Sequence, residues 1–171
     1  MTLYLGIARN SGIDWTDFPW FAIVNYLTDW LNSCCGDGGD PVRVLTVNQP
    51  QSRMTTSDGL VYLVGYPSDS VVSRVGAPAS GDLHVGQTSA LGGEMISEVY
   101  VNIMHEYGIA ATIYHELLHN KFRLSIDIHR TPDGNFTSAT APYSLGGPSD
   151  ADQGLMCRAL QEKSRQFQGG F

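Results

Sequence analysis

One segment in the C-terminal half decides the fold of this chain, and it reads Ala-Thr-Ile-Tyr-His-Glu-Leu-Leu-His-Asn from residue 111 to residue 120. It lies within residues 108–123, whose apolar spacing predicts a helix. His115 and His119 are one helical turn apart, so their side chains share a face of that helix. Two neutral imidazoles on one face can bind a metal ion, and Glu116 beside them can take a proton from a metal-bound water. The segment therefore predicts a zinc-binding helix.

A catalytic zinc site needs a third protein ligand and one open position. The remaining histidines are His84, in a predicted edge region, His105, which belongs at the wrong end of the helix, and His129. Residues 124–129 alternate between apolar and polar, and in an extended conformation Asp127 and His129 share one face. We expect His129 to be the third ligand. Asp127 stays open as the alternative ligand or as a neighbour that orients His129.

Outward from this helix, apolar and β-branched runs bounded by turn residues predict strands at residues 3–8, 42–47, 60–64 and 98–103, with an edge strand at 83–88. A first helix follows an Asp17 cap, and a last helix, capped by Asp150 or Asp152, runs to about residue 166. The order is strand, helix, strand, strand, edge strand, strand, helix, long loop, helix. This order predicts one α/β domain over residues 1–171, with helices packed against a mixed sheet.

Composition narrows the class of protein. The net charge is −7 with a pI near 5.0, so phosphate backbones repel the chain and we expect no nucleic acid partner. No apolar run approaches the roughly 20 residues needed to cross a bilayer, so we expect no membrane partner. Residues 1–10 lack the pattern of a secretory signal, which predicts a cytoplasmic protein or one exported by a signal-independent route. The three cysteines, Cys34, Cys35 and Cys157, are expected to be unpaired thiols in a reducing compartment.

Two segments resemble the metzincin clan of zinc metallopeptidases. The long motif of that clan reads His-Glu-x-x-His-x-x-Gly-x-x-His, and a turn with a methionine beneath the zinc follows it before the last helix. The first segment is 111–120, and the second, Gly154-Leu155-Met156-Cys157, looks like the methionine turn. The predicted order of elements is also similar to a minimal metzincin catalytic domain. The chain departs from the motif at the glycine position, which holds Phe122, and at the third histidine position, which holds Ser125.

The resemblance implies a zincin-like α/β fold. In such a fold a mixed, mainly parallel twisted sheet with an antiparallel edge strand is packed by an N-terminal helix, an active-site helix and a C-terminal helix. The resemblance also implies a monomeric, zinc-dependent metalloendopeptidase in which His115, His119 and His129 hold Zn2+ and Glu116 is the general base. An extended peptide substrate would pair with the edge strand. Tyr143 is the candidate to support the oxyanion.

Other functions stay open at this point. A zinc-binding, non-proteolytic module or an inactive relative would keep the ligands but give Glu116 no role. A YbeY-like zinc endoribonuclease is a further alternative, because residues 127–129, Asp-Ile-His, are similar to the end of its motif, although that motif has glycine where this chain has Glu116. Peptide deformylase shares the His-Glu-x-x-His helix but takes its third ligand from a Glu-Gly-Cys-Leu-Ser segment that this chain lacks.

Overall fold

The strands and helices follow one another along the chain in the predicted order. The computed structural model describes residues 1–7, 13–33, 40–48, 54–55, 57–65, 85–91, 94–139 and 143–162. The strands are β1 (Thr2–Ile7), β2 (Arg43–Val47), β3 (Gly59–Val64), β4 (Gly86–Leu91) and β5 (Glu94–Tyr100). The helices are α1 (Trp20–Asn32), α2 (Glu106–Lys121) and α3 (Asp150–Ala159), and single 3-10 turns lie at Val101–Ile103 and Ile128–Arg130.

The described strands form one sheet in the order β2-β1-β3-β5-β4. The four strands β2, β1, β3 and β5 are parallel to their neighbours, and β4 is antiparallel to β5 at the edge. The central strand β3 is buried along its whole length, as expected for a parallel strand covered on both faces. The structure thus confirms the predicted α/β class, with a mostly parallel sheet and one antiparallel edge strand.

Helix α2 occupies the centre of the layer that packs on one face of the sheet. Twelve of its sixteen residues are buried, so it is enclosed around most of its circumference. On one side it contacts β3, β4 and β5, and on the other it contacts α1 and α3. Helix α1 packs with Ile23, Leu27 and Leu31 facing this core. The histidine-bearing helix is therefore an interior element of the fold.

Several predicted boundaries and caps are wrong. Helix α1 begins at Trp20 with Pro19 at the N-cap and no side-chain cap bond, so Asp17 is not its cap. Helix α3 is capped by Ser149, whose hydroxyl accepts from the Asp152 backbone N–H in a capping box, and the helix ends at Ala159. The cap prediction failed because Asp152 lies three residues inside the helix, where its carboxylate bonds back to the Ser149 N–H.

Strand boundaries also shift. Strand β5 starts at Glu94, four residues before its predicted start, and the predicted last part of it is the 3-10 turn Val101–Ile103. The antiparallel edge strand lies at Gly86–Leu91 rather than at 83–88. Residues 124–129 are not extended, because the chain turns through left-handed conformations at Arg123 and Leu124 (φ 53° and 56°) and then forms the turn Ile128–Arg130.

Two expectations about the last helix are wrong. The segment 154–157 lies inside α3, so it is helical and is not a turn ahead of that helix. Met156 is fully buried there and belongs to the hydrophobic core. Cys157 is disulfide-bonded, which contradicts the prediction that it is an unpaired thiol. An odd cysteine count still allows one bridge.

None of the helices among the described residues is long and apolar enough to cross a membrane.

Candidate metal centre

Three imidazole rings converge at the C-terminal half of α2. The Nε2 atoms of His115 and His119 are 3.1 Å apart, those of His115 and His129 are 3.2 Å apart, and those of His119 and His129 are 3.4 Å apart. His115 is buried, His119 is half-buried and His129 is exposed. The cluster thus has one closed side in the core and one side open to solvent.

The spacing of these nitrogens fits a bound metal ion. A neutral imidazole has one N–H, and three converging Nε2 atoms cannot each be both donor and acceptor to the other two. A tetrahedral zinc with Zn–N bonds of about 2.05 Å separates its nitrogen ligands by about 3.3 Å, which agrees with the three observed separations. His115, His119 and His129 are therefore close enough to hold one ion.

The end of α2 explains how His129 returns to the helix. The helix ends at Lys121, and the chain then reverses direction through Arg123 and Leu124, whose N–H donates to the His119 carbonyl at 3.1 Å. Ile128 is fully buried and joins the core beside α2. Burial of this side chain fixes the turn that follows, and the turn carries His129 across the helix to the other two rings.

The Nδ1 atoms of the three histidines have different surroundings. His115 Nδ1 lies 2.6 Å from the Phe136 carbonyl oxygen, and because that oxygen can only accept, the proton lies on Nδ1. His129 Nδ1 is 3.6 Å from Asp127 Oδ1, and Asp127 also pairs with Arg130 at 3.0 Å. His119 Nδ1 has no hydrogen-bond partner in the described part of the chain. Asp127 thus lies beside His129 and outside the nitrogen cluster.

Burial keeps two of the three histidines neutral. It lowers the pKa of His115 to about 4 and the pKa of His119 to about 3, in both cases mainly through desolvation of the charged form. The hydrogen bond to the Phe136 carbonyl opposes this effect at His115, and the other imidazoles add to it at His119. Neutral imidazole is the form that binds a metal, so both nitrogens are ready to bind at neutral pH.

Glu116 is buried between α2 and the edge strand. Its Oε2 accepts a short hydrogen bond of 2.5 Å from the Thr88 hydroxyl on β4. Gly86 lies so close that an added Cβ would be 2.7 Å from Glu116 Oε1. Burial raises the pKa of Glu116 to about 8, and the Thr88 hydroxyl partly opposes that rise. A divalent cation at the three histidines would lower this pKa by electrostatic attraction.

Tyr143 lies beside the cluster. Its ring centroid is 6.2 Å from that of His115 and 5.7 Å from that of Phe136. Its hydroxyl lies near the Thr112 side chain, one turn before Glu116 on α2. Burial, reinforced by the Glu116 charge, raises the pKa of Tyr143, so its hydroxyl stays protonated and can donate.

The structure separates the predicted site residues into two groups. It brings together His115, His119 and His129, with Glu116 and Tyr143 close by. It places His105 at the exposed N-cap of α2, away from the cluster, while His84 lies outside the described residues. Sequence reasoning missed the Phe136 carbonyl and the Thr88 hydroxyl. A backbone carbonyl has no signature in a sequence, and a threonine on an edge strand resembles any other strand residue.

No family model, no curated protein and no solved structure matches this chain. Support for the candidate metal centre therefore comes from the geometry of its own residues.

Proposed function

We propose that this protein is a zinc-dependent metallopeptidase, with His115, His119 and His129 as ligands and Glu116 as general base. One observation carries the proposal. Three Nε2 atoms lie within 3.4 Å of one another, and the helix that carries two of them also holds a buried carboxylate next to the first ligand. A three-histidine set leaves one position of a tetrahedral zinc open, as hydrolytic zinc sites require. Zinc bound there would supply a water of lowered pKa and polarise a carbonyl.

The side chains around the ligands have roles suited to acyl transfer. Glu116 accepts the proton of the attacking water and delivers it to the leaving amine. Thr88 donates a hydrogen bond to that carboxylate and so holds it in place. Tyr143 presents a protonated hydroxyl near His115, where it can donate to an oxyanion.

The edge strand supports a peptide as the substrate. Strand β4 pairs with β5 on one side and is the last strand of the sheet as described. It also contacts α2, through Thr88 and Gly86 at Glu116. An extended peptide that adds to β4 by backbone hydrogen bonds, on the side away from β5, lies next to the strand that contacts Glu116. This arrangement favours cleavage within a chain over removal of a terminal residue.

Two alternatives are less well supported. A structural zinc normally has four protein ligands, and the described residues bring only three together, with the third exposed to solvent. A YbeY-like endoribonuclease would have to attract a polyanion, whereas this chain has a net charge of −7. Glu116 also stands where such an enzyme has glycine.

The deciding experiment measures metal content and cleavage together. The purified protein should contain about one zinc per chain and cleave members of a mixed peptide library, and a chelator should abolish cleavage until zinc is restored. Glu116→Gln should retain zinc but lose roughly 100-fold or more in turnover, because the carboxylate acts on the water and not on the metal. Absence of metal after zinc is supplied would refute the centre, and a Glu116→Gln variant with full turnover would refute the assigned base.

A further inference from the structure

Asp152 is a fully buried carboxylate that lies behind the metal centre, at the start of α3. Its two oxygens accept five hydrogen bonds. Oδ2 accepts from the backbone N–H groups of Asn135 (2.9 Å), Phe136 (2.8 Å) and Ser149 (2.8 Å), and Oδ1 accepts from the Thr137 N–H (3.1 Å) and the Thr137 hydroxyl (2.8 Å). The bond to Ser149 belongs to the capping box, and the other four hold residues 135–137. The carboxylate thus does more than cap a helix.

One peptide group connects this carboxylate to a metal ligand. The carbonyl of Phe136 accepts from His115 Nδ1 at 2.6 Å, and the N–H of the same peptide group, which belongs to Thr137, donates to Asp152 Oδ1. In a trans peptide the C=O and N–H point in opposite directions, so one group can serve both neighbours. A carboxylate that accepts from a peptide N–H polarises that peptide and makes its carbonyl a stronger acceptor.

We propose that Asp152 is a positioning residue for His115, acting through the Phe136–Thr137 peptide. It holds the carbonyl where His115 Nδ1–H must donate, which leaves the Nε2 lone pair free for a metal. In metal sites a carboxylate often bonds directly to the outer nitrogen of a ligand histidine, and here a peptide group stands between them. The consequence for zinc rests on the proposed function, while the consequence for the His115 tautomer does not.

Two further contacts hold the surroundings of Asp152 in place. Gly134 packs so tightly that an added Cβ would be 1.9 Å from Thr137 Oγ1 and 3.1 Å from Asp152 Oδ1, so the loop leaves no room for a side chain above the carboxylate. The Tyr114 hydroxyl, from the residue before His115, donates to the Asp152 backbone carbonyl at 3.1 Å. Helices α2 and α3 are therefore linked by a hydrogen bond at the residue that carries the carboxylate.

Asp58 provides a matched control. It is also buried, and it accepts from the Thr2 N–H, the Thr55 N–H and the Thr55 hydroxyl just before β3. It holds loop backbone in the same way, but these three bonds lead to residues 2 and 55 and not to the three histidines. Asp58→Asn thus shows how the loss of a buried charge that holds a loop affects the His115 tautomer and zinc affinity in general.

The test compares Asp152→Asn with Asp58→Asn by 15N NMR of the metal-free protein and by competitive zinc titration. Wild type and Asp58→Asn should show His115 as a single Nδ1–H tautomer, whereas Asp152→Asn should show a mixture of tautomers. Zinc affinity should fall roughly 10- to 100-fold in Asp152→Asn and stay near wild type in Asp58→Asn. The proposal is overturned if the two variants behave alike in both measurements.

Two measurements keep the proposal decidable if Asp152→Asn does not fold. In wild type, scalar couplings across hydrogen bonds should connect Thr137 N to Asp152 Cγ and His115 Nδ1 to the Phe136 carbonyl carbon. The absence of either coupling overturns the proposal that Asp152 acts on His115 through this peptide group. If wild type binds no zinc, the proposed function fails, but the His115 tautomer and these couplings still decide the role of Asp152.

Discussion

The three clustered histidines differ most in what lies next to their Nδ1 atoms. His115 is fixed by a backbone carbonyl and His129 lies near a carboxylate, whereas His119 Nδ1 has no partner in the described structure. At His119 packing restricts the ring in place of a hydrogen bond, because a ring on an interior helix has few other orientations. His129 is the exposed member, so its place in the cluster depends most on the turn that carries it.

Single substitutions can test which residue is the third metal ligand. We expect His129→Ala to weaken zinc binding far more than Asp127→Ala, because the first removes a coordinating nitrogen and the second removes only a carboxylate 3.6 Å from its outer side. Loss of such a neighbouring carboxylate costs roughly 10- to 100-fold in affinity. Competitive chelator titration ranks the variants, and the reverse ranking would make Asp127 the ligand.

At the scale of elements, the contact between β4 and α2 sets the position of Glu116. Gly86 is the closest point, since a Cβ there would be 2.7 Å from both Glu116 Oε1 and Thr112 Cγ2. We expect Gly86→Ala to displace the strand or the carboxylate and so to lower turnover, while zinc content stays at the wild-type value. Unchanged turnover would show that the strand does not position the base.

Gly154 is the control position for Gly86, because a Cβ added at Gly154 would contact no neighbouring atoms. It is exposed in the interior of α3, and nothing lies within 4 Å of a Cβ added there. Glycine is a poor helix former because it loses the most backbone entropy on folding. We expect Gly154→Ala to raise the free energy of unfolding by about 0.5–1 kcal/mol and to leave turnover unchanged. Urea unfolding measures the gain, and a loss of stability would contradict the open environment.

At the scale of the whole molecule, Lys121 makes stability depend on pH. Its side chain is buried at the end of α2, where Nζ donates to the Ser57 carbonyl at 2.9 Å. Burial lowers its pKa to about 8 from an ordinary 10.5, although the charges of Asp58 and Glu162 oppose this. Between these two pKa values the unfolded chain binds more protons than the folded one, so stability rises with pH in that window.

Lys121→Met should remove this contribution. We expect the unfolding free energy of wild type to rise more steeply between about pH 8 and 10 than that of the variant. Buried tyrosines such as Tyr62 and Tyr114, whose pKa values burial raises, act in the opposite direction only at higher pH. Urea unfolding across the window gives both slopes, and equal slopes would show that Lys121 titrates as an exposed lysine.

Local patterns predicted much of this fold and part of the site. The helix with His115 and His119 follows from a 3.6-residue period, which any isolated helix of this sequence would share. The buried strands and their order follow from apolar runs and turn residues. Boundaries were less accurate, since Ser149 replaced the predicted caps of α3 and β5 ended at Tyr100. Such ends depend on tertiary contacts as well as on local sequence.

Local sequence is enough to place the reactive side chains on α2, because the spacing within a helix is set by its own backbone geometry. Whether His129 or Asp127 lies beside them depends on contacts between distant segments, since it follows from the left-handed conformations after Lys121 and from the burial of Ile128. The same packing brings the Phe136 carbonyl to His115. Contacts between distant segments arise when the elements pack into one core, and the packing of a core depends on all of its residues at once.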